Sequence, residues 1–326
     1  MSPRPWLLAL VAWTGGCGVS ADQACQDVAN ARCARRQACS NGSSVTRAYG
    51  DLATCVAREK LVCSDALAAR GTGQSAASQE KCASAIAAQS CSDFFLGNPP
   101  AVCVATGAFS NASSCAFNSQ CSTSYCTNDK NAACGSCGQA PVAGSDCGTS
   151  TCARGLSCIT TTSATGSSQT CVAEGPQGAA CNRNAPCAPG LTCVGITLTA
   201  SGSCMVAATA AGAACDPTAK TGAGCDRNQG LWCNPQSKSC TAITYVGSGQ
   251  PCGEGTDGNV SDCSAGAGCY GATFGMMPTL GVCKAPAADG ATCDITNGPP
   301  CLAPARCVTA MGSTAGTCMV PDASKC

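Results

Sequence analysis

Cysteine is the one chemically competent residue that this sequence carries in quantity, 35 of 326 positions. At that density thiols either pair as disulfides or gather around metal ions, and spacing separates the two uses. The only Cys-x2-Cys is Cys134-Gly-Ser-Cys137, with no second such knuckle and no Cys-x-Cys anywhere. A thioredoxin-like role for Cys134 and Cys137 would need a βαβ setting, which their surroundings lack. Histidine is absent. That removes Ser-His-Asp and Cys-His catalysis, His-ligated zinc and any imidazole pH switch. The spacing therefore favours disulfides, and we expect no metal and no cofactor.

Other motifs fall to the same scrutiny. Gly71-Thr-Gly73-Gln-Ser-Ala76 matches a dinucleotide fingerprint but follows a helical run, Leu67–Arg70, where a strand is required. It reads as an interhelical loop. Asp257-Gly-Asn-Val-Ser-Asp262 offers oxygens but lacks the alternating carboxylates and terminal Glu of a calcium loop. Only four Glu occur, Glu59, Glu80, Glu174 and Glu254, and nothing pairs two carboxylates for acid–base work. We nominate no catalytic residue, and the chain is not expected to be an enzyme. Trp232 beside Cys233 and Tyr270 beside Cys269 could be exposed contacts, and packing against a disulfide is the favoured reading. Eighteen basic residues balance eighteen acidic ones, so no electrostatic case exists for nucleic acid.

What must position these cysteines is not an ordinary core. Five Phe, four Tyr and three Trp are too few, and Ala, Gly and Cys bury little area each. At about 25 cal/mol per Å² such burial does not offset ordering entropy. Residues 1–21 read as a secretory signal, with Arg4 as its basic end and Trp6–Trp13 as a short apolar stretch. Two processing sites compete. Thr14-Gly-Gly-Cys17 is lipobox-like, which would make Cys17 the acylated N-terminal residue. Val19-Ser-Ala21 would instead release a soluble protein after Ala21. Either cut takes Cys17 out of pairing and leaves 34 cysteines, an even number.

Residues 22–104 carry eight cysteines, Cys25, Cys33, Cys39, Cys55, Cys63, Cys82, Cys91 and Cys103, among runs of helix formers. Cys25, Ala29 and Cys33 fall on one helical face. Asp51 can cap a second helix with Leu52, Cys55, Val56 and Cys63 in a stripe. Cys82, Ala85 and Ile86 line up in a third. We expect a helical domain stapled by four internal bridges of undetermined connectivity.

Residues 105–326 change texture and repeat. Residues 105–138 hold a variant first unit with Cys115, Cys121, Cys126, Cys134 and Cys137, and residues 139–326 hold five more units. Each opens with Gly-x-x-Cys, from Gly144, Gly178, Gly212, Gly249 and Gly290. Their four-cysteine sets are Cys147, Cys152, Cys158, Cys171; then Cys181, Cys187, Cys193, Cys204; then Cys215, Cys225, Cys233, Cys240; then Cys252, Cys263, Cys269, Cys283; and Cys293, Cys301, Cys307, Cys318. Cys137 and Cys326 stand out as extras. With one or two medium apolar side chains, a unit of this length has no core, and two bridges substitute for it. The expected fold is small and disulfide-rich, a stapled α-helical domain followed by tandem short β-hairpin or irregular repeats.

At this point the residues resemble a known group. Cys115-Ala-Phe-Asn-Ser-Gln-Cys121-Ser-Thr-Ser-Tyr-Cys126 is similar to the Dickkopf N-terminal cysteine-rich pattern and the related EB module. Cys181-Asn-Arg-Asn-Ala-Pro-Cys187-Ala-Pro-Gly-Leu-Thr-Cys193 looks like a looser copy. The whole plan resembles cysteine-rich surface lipoproteins of the myxobacterial type. The resemblance implies an extracellular protein-interaction module without catalytic residues. With Gly18 and no Asp after Cys17, it implies an outer-membrane or cell-surface lipoprotein, with free secretion as the alternative.

Three functions compete: a surface scaffold for protein interaction or adhesion, a secreted inhibitor or effector of an external enzyme or receptor, and a metal-thiolate store. The first fits best; its partner would be an extracellular or surface protein, with the membrane reached through the lipid anchor. Thiol titration separates the store from the other two. Denatured, unreduced protein from an oxidising compartment is expected to show no free thiol. Many free thiols accompanied by zinc or copper would establish the store instead.

Overall fold

The computed structural model describes residues 18–127, 131–148, 150–163, 166–197, 200–273 and 277–326. Residues 1–17 of the expected signal, Cys17 included, lie outside these residues, and residues 18–21 lie within them. The molecule is a disulfide-stapled helical domain followed by short antiparallel hairpins, and the 34 described cysteines form seventeen bridges.

Five helices make the first part: α1 Ala21–Ser40, α2 Ser43–Tyr49, α3 Leu52–Ala68, α4 Ala76–Ala88 and α5 Cys91–Phe95. Their starts follow local chemistry. Ser20, Asp51, Ser75 and Ser90 each accept a backbone N–H in the first turn, which satisfies a donor the helix itself cannot pair. Cys25, Ala29 and Cys33 are fully buried on one face of α1. Cys25–Cys63 and Cys33–Cys55 fasten this face to antiparallel α3. Each helix contributes cysteines eight residues apart, so the two bridges sit about 12 Å apart and fix both spacing and direction. Cys39–Cys91 ties α1 to α5, and Cys82–Cys103 ties α4 to the turn Ala101–Cys103.

Two expected positions differ. Leu52 is exposed, because as the first residue of α3 it precedes the part packed on α1. On α4 it is Ala83, rather than Ala85, that is buried with Cys82 and Ile86 against Val28.

All six repeat units share one connectivity, first cysteine to third and second to fourth. Cys115–Cys126 with Cys121–Cys137 shows it in unit 1, and Cys293–Cys307 with Cys301–Cys318 in unit 6. The third and fourth cysteines face each other across a hairpin, as in Cys193 and Cys204 or Cys307 and Cys318. Each nevertheless bonds to a cysteine upstream, so the hairpin is clamped to the strand and turn before it. Cys137 is therefore the ordinary fourth cysteine of unit 1. The extra residue is Cys134, which bonds Cys326 across 192 positions.

The opening glycine has a defined task. Its N–H donates to the carbonyl of the fourth cysteine at 2.7–2.9 Å in units 2 to 6, from Gly144, Gly178, Gly212, Gly249 and Gly290. The turn requires positive φ, between 80° and 83° at these positions. Unit 1 places Ala112 there, at φ 67°, donating to Cys137 at 2.8 Å. Two residues before the fourth cysteine, Gly202 and Gly316 lie where strands cross too closely for a side chain. A Cβ on Gly316 would come within 2.1 Å of the Val308 carbonyl.

These backbone roles set an order of stabilities. Gly178→Ala, in open space, is expected to cost about 1 kcal/mol through φ alone. Gly316→Ala is expected to cost more, because backbone must move. Ala112→Gly is expected to be neutral or stabilising by up to about 1 kcal/mol. Midpoints of chemical unfolding under non-reducing conditions check the series.

Candidate functional site

The units are not a string trailing from the helices. Gln120 of unit 1, 1% exposed, donates to the Arg70 carbonyl at 2.8 Å. Gly155 of unit 2 donates to Asn98 Oδ1 at 2.7 Å. In unit 4, Gln229 donates to the Cys39 carbonyl at 2.7 Å, and Ser43 Oγ donates to the Asn228 carbonyl at 2.8 Å. Ala265 and Gly266 of unit 5 donate to the carbonyls of Thr46 and Arg47. Arg58 of α3 forks onto Asp289 at 2.6 and 2.8 Å and holds that carboxyl below the ordinary range. It also reaches the carbonyls of Leu302 and Ala303 in unit 6. Ala66 of α3 and Ala69 just after it pack on Ala116 and Phe117, with Ala323 and Cys326 alongside. The repeats thus run around a helical hub and return to unit 1, where Cys134–Cys326 closes the circuit.

Between hub and rim lies a cleft of about 1240 Å³, walled by α1 and α2 on one side and by units 3 to 5 on the other. Arg36 and Arg47 come from the helices. Arg227, Trp232 and Tyr245 come from units 4 and 5, and Glu174 and Glu254 from the linker into unit 3 and the strand Pro251–Glu254. Arg36 is held in place: its guanidinium carbon lies 5.6 Å from the ring centres of both Tyr49 and Phe94, and it donates to Ser44 Oγ at 3.1 Å. Arg227 sits 5.0 Å from the centre of the Trp232 ring, a cation–π arrangement. Burial pushes the Tyr245 hydroxyl up, opposed by Ser43 and by the charges of Arg47 and Arg227.

Few polar groups of this wall are idle. Asp216 accepts from Thr218, Lys220 and Thr221, which holds it far below the usual carboxylate range and commits it to its own turn. Asp226 caps the turn Arg227–Gln229, and burial raises its carboxyl. Three groups remain unspent. Trp232 Nε1 and Glu174 Oε2 are buried without a hydrogen-bond partner. Glu254 is 9% exposed, with no side-chain partner among the described residues. None of Arg36, Arg47 and Arg227 forms an ion pair among the described residues.

Of the nominated residues Trp232 lines the cleft; Tyr270, residues 71–76 and 257–262, and the pair Cys134 and Cys137 fall elsewhere. Trp232 and Tyr270 were expected against disulfides. Each ring also carries a cation, Arg227 over Trp232 and Lys284 at 5.2 Å from Tyr270, because a charged side chain can cover a ring while keeping its head in water. Gly71–Ala76 links α3 to α4 and docks unit 1 through the Gly71 carbonyl. Asp257 spends both oxygens on Asn259, and Asp262 accepts from the Cys263 N–H. Cys134 and Cys137 belong to different bridges. Sulfur triads such as Cys115, Cys121 and Cys126 lie within 4.8 Å, but all these atoms are in disulfides and none is a thiolate. The sequence reading did not assemble the cleft's arginines and glutamates. Its one local signal is the longer gap of unit 4, which brings Arg227 five positions before Trp232.

Comparison with family models, with curated proteins and with solved structures returns no match to this chain.

Beneath the cleft, Tyr49 donates to Glu59 at 3.0 Å, and burial together with the Glu59 charge pushes its hydroxyl up to about 12. A raised acid contributes stability that is complete below the unfolded value near 10 and is lost as pH rises through 12. Unfolding free energy is therefore expected to fall by up to about 2 to 3 kcal/mol over that window. Tyr49→Phe is expected to flatten the fall, as read by chemical unfolding at stepped alkaline pH.

Proposed function

We propose that this protein is an exported, non-catalytic surface scaffold for protein interaction or adhesion, anchored by lipid at Cys17. The observation that carries the reading is that all 34 described cysteines are bridged. Such bonding belongs to an oxidising, extracellular or cell-surface setting. It yields a rigid frame that presents loops, which suits recognition. The likeness to Dickkopf-type modules and to myxobacterial surface lipoproteins points the same way.

The anchor has separate support. Ser20 accepts the Gln23 N–H at 3.1 Å and so starts α1. Cleavage before Cys17 keeps this cap, and cleavage after Ala21 removes it at a cost of about 1 kcal/mol. Among the described residues no helix is long and apolar enough to cross a membrane. Two or three acyl chains, at about 0.8 kcal/mol per buried CH₂, supply stable attachment.

Labelling cells with a palmitate analogue tests the anchor. The wild-type chain is expected to take up label and enter the detergent phase, and Cys17→Ser to be unlabelled and soluble or unprocessed. A mature N-terminus at Asp22 overturns the anchor and leaves a freely secreted protein. Pull-down from intact cells then tests the scaffold. Recovery of a surface component supports it, and recovery of one specific enzyme establishes an inhibitor.

A further inference from the structure

We infer that the hub–rim cleft is a recognition site for an extended peptide segment carrying both an acidic and a basic side chain. This rests on the scaffold reading and gives it a place on the molecule.

Composition makes the cleft unusual for this chain. The sequence has three Trp, and Trp232 is the only one beyond the N-terminal leader. It meets Tyr245, one of four Tyr, and three arginines in one concavity. Trp, Tyr and Arg are the residue types that dominate binding energy at protein interfaces, because each brings large area or forked donors at modest entropic cost.

Charge defines the ligand. Arg36, Arg47 and Arg227 present guanidinium groups from both walls, none ion-paired among the described residues. A carboxylate is the natural partner of such a fork. Glu174 accepts from Ser157 with one oxygen and leaves Oε2 buried without a hydrogen-bond partner, and Glu254, 9% exposed, forms no ion pair among the described residues; an arriving cation or N–H donor pairs with both. The Trp232 N–H asks for an acceptor, which a peptide carbonyl supplies. A neutral glycan leaves the arginines unpaired, and a polyanionic one meets repulsion at Glu174 and Glu254. A peptide with both charges satisfies all of them. Size agrees: about 1240 Å³ exceeds the roughly 300–1,000 Å³ of pockets that enclose a small molecule.

The probe is a phage-displayed library of random linear dodecapeptides, panned against the intact oxidised protein. Enriched sequences are expected to pair an acidic with a basic residue around an apolar one. A synthetic peptide of that consensus is expected to bind wild type in calorimetry, to weaken with added salt, and to lose at least tenfold affinity to Arg227→Ala and to Trp232→Phe. Glu254→Gln is expected to lose severalfold, and Arg183→Ala, outside the cleft, nothing. Because Glu254→Gln is isosteric and Trp232→Phe keeps an aromatic ring, unchanged circular dichroism and absence of free thiols show that the losses are local. No enrichment, equal binding to the variants, or binding of an oligosaccharide in place of peptide overturns the inference. Its fate separates from that of the scaffold reading. If Arg227→Ala still captures the surface component that wild type captures, the cleft fails and the scaffold stands. If peptides bind the cleft but intact cells yield no surface component, the scaffold fails and the cleft stands.

Discussion

Each repeat unit holds two disulfides side by side, and the rest of the molecule depends on that pair. The sulfurs are close enough to form the unit's interior. In unit 1 Cys115, Cys121, Cys126 and Cys137 pack together with only Phe109 against them, and in unit 2 Cys147, Cys152 and Cys171 do the same with Leu156. Because the first cysteine bonds the third and the second bonds the fourth, the hairpin cannot separate from the opening turn without breaking covalent bonds. Loop lengths can then drift freely. The second-to-third gap is longer in unit 4, yet Cys215–Cys233 and Cys225–Cys240 keep the same pattern. Order in such a unit comes from chain closure more than from buried area.

Rigid units with little apolar surface of their own can dock on a helical hub by short hydrogen bonds and small-residue contact. Gln120 shows how. Its amide oxygen takes the N–H groups of Ala116 and Phe117, and its amide nitrogen reaches the Arg70 carbonyl on the hub. One side chain thus orders a loop and fixes its position. Arg58 does similar work at unit 6, satisfying Asp289 and two carbonyls at once. The cleft exists because hub and rim meet through such local struts and leave space between them.

Much of this was legible in the sequence wherever the signal was local. The helical face of Cys25, Ala29 and Cys33, the cap at Asp51 and the opening glycines are spacings of a few residues, set by the helical period or by one turn. Unit 1 was harder, because Ala112 stands where the other units have glycine and hides the register; Cys137 then looked supernumerary in place of Cys134. Hub–rim docking left no trace. Its partners lie up to 245 residues apart, and contacts among Ala, Gly and backbone groups impose no periodicity. The cleft inherits that obscurity, since its charges come from five separate segments.

The bond between Cys134 and Cys326 has a consequence for survival outside a cell. From Cys134 to Cys326 the polypeptide is a closed loop, so cutting that span at one point converts a ring into a line and detaches nothing. A protease must cut twice, at places that also escape the local bridges, before any piece can leave. A single scission therefore leaves the mass unchanged on a non-reducing gel and visible only after reduction. Pulling force behaves likewise. Tension applied between Cys134 and any of units 2 to 6 is shared by two covalent arms, so one yielding unit does not part the ring.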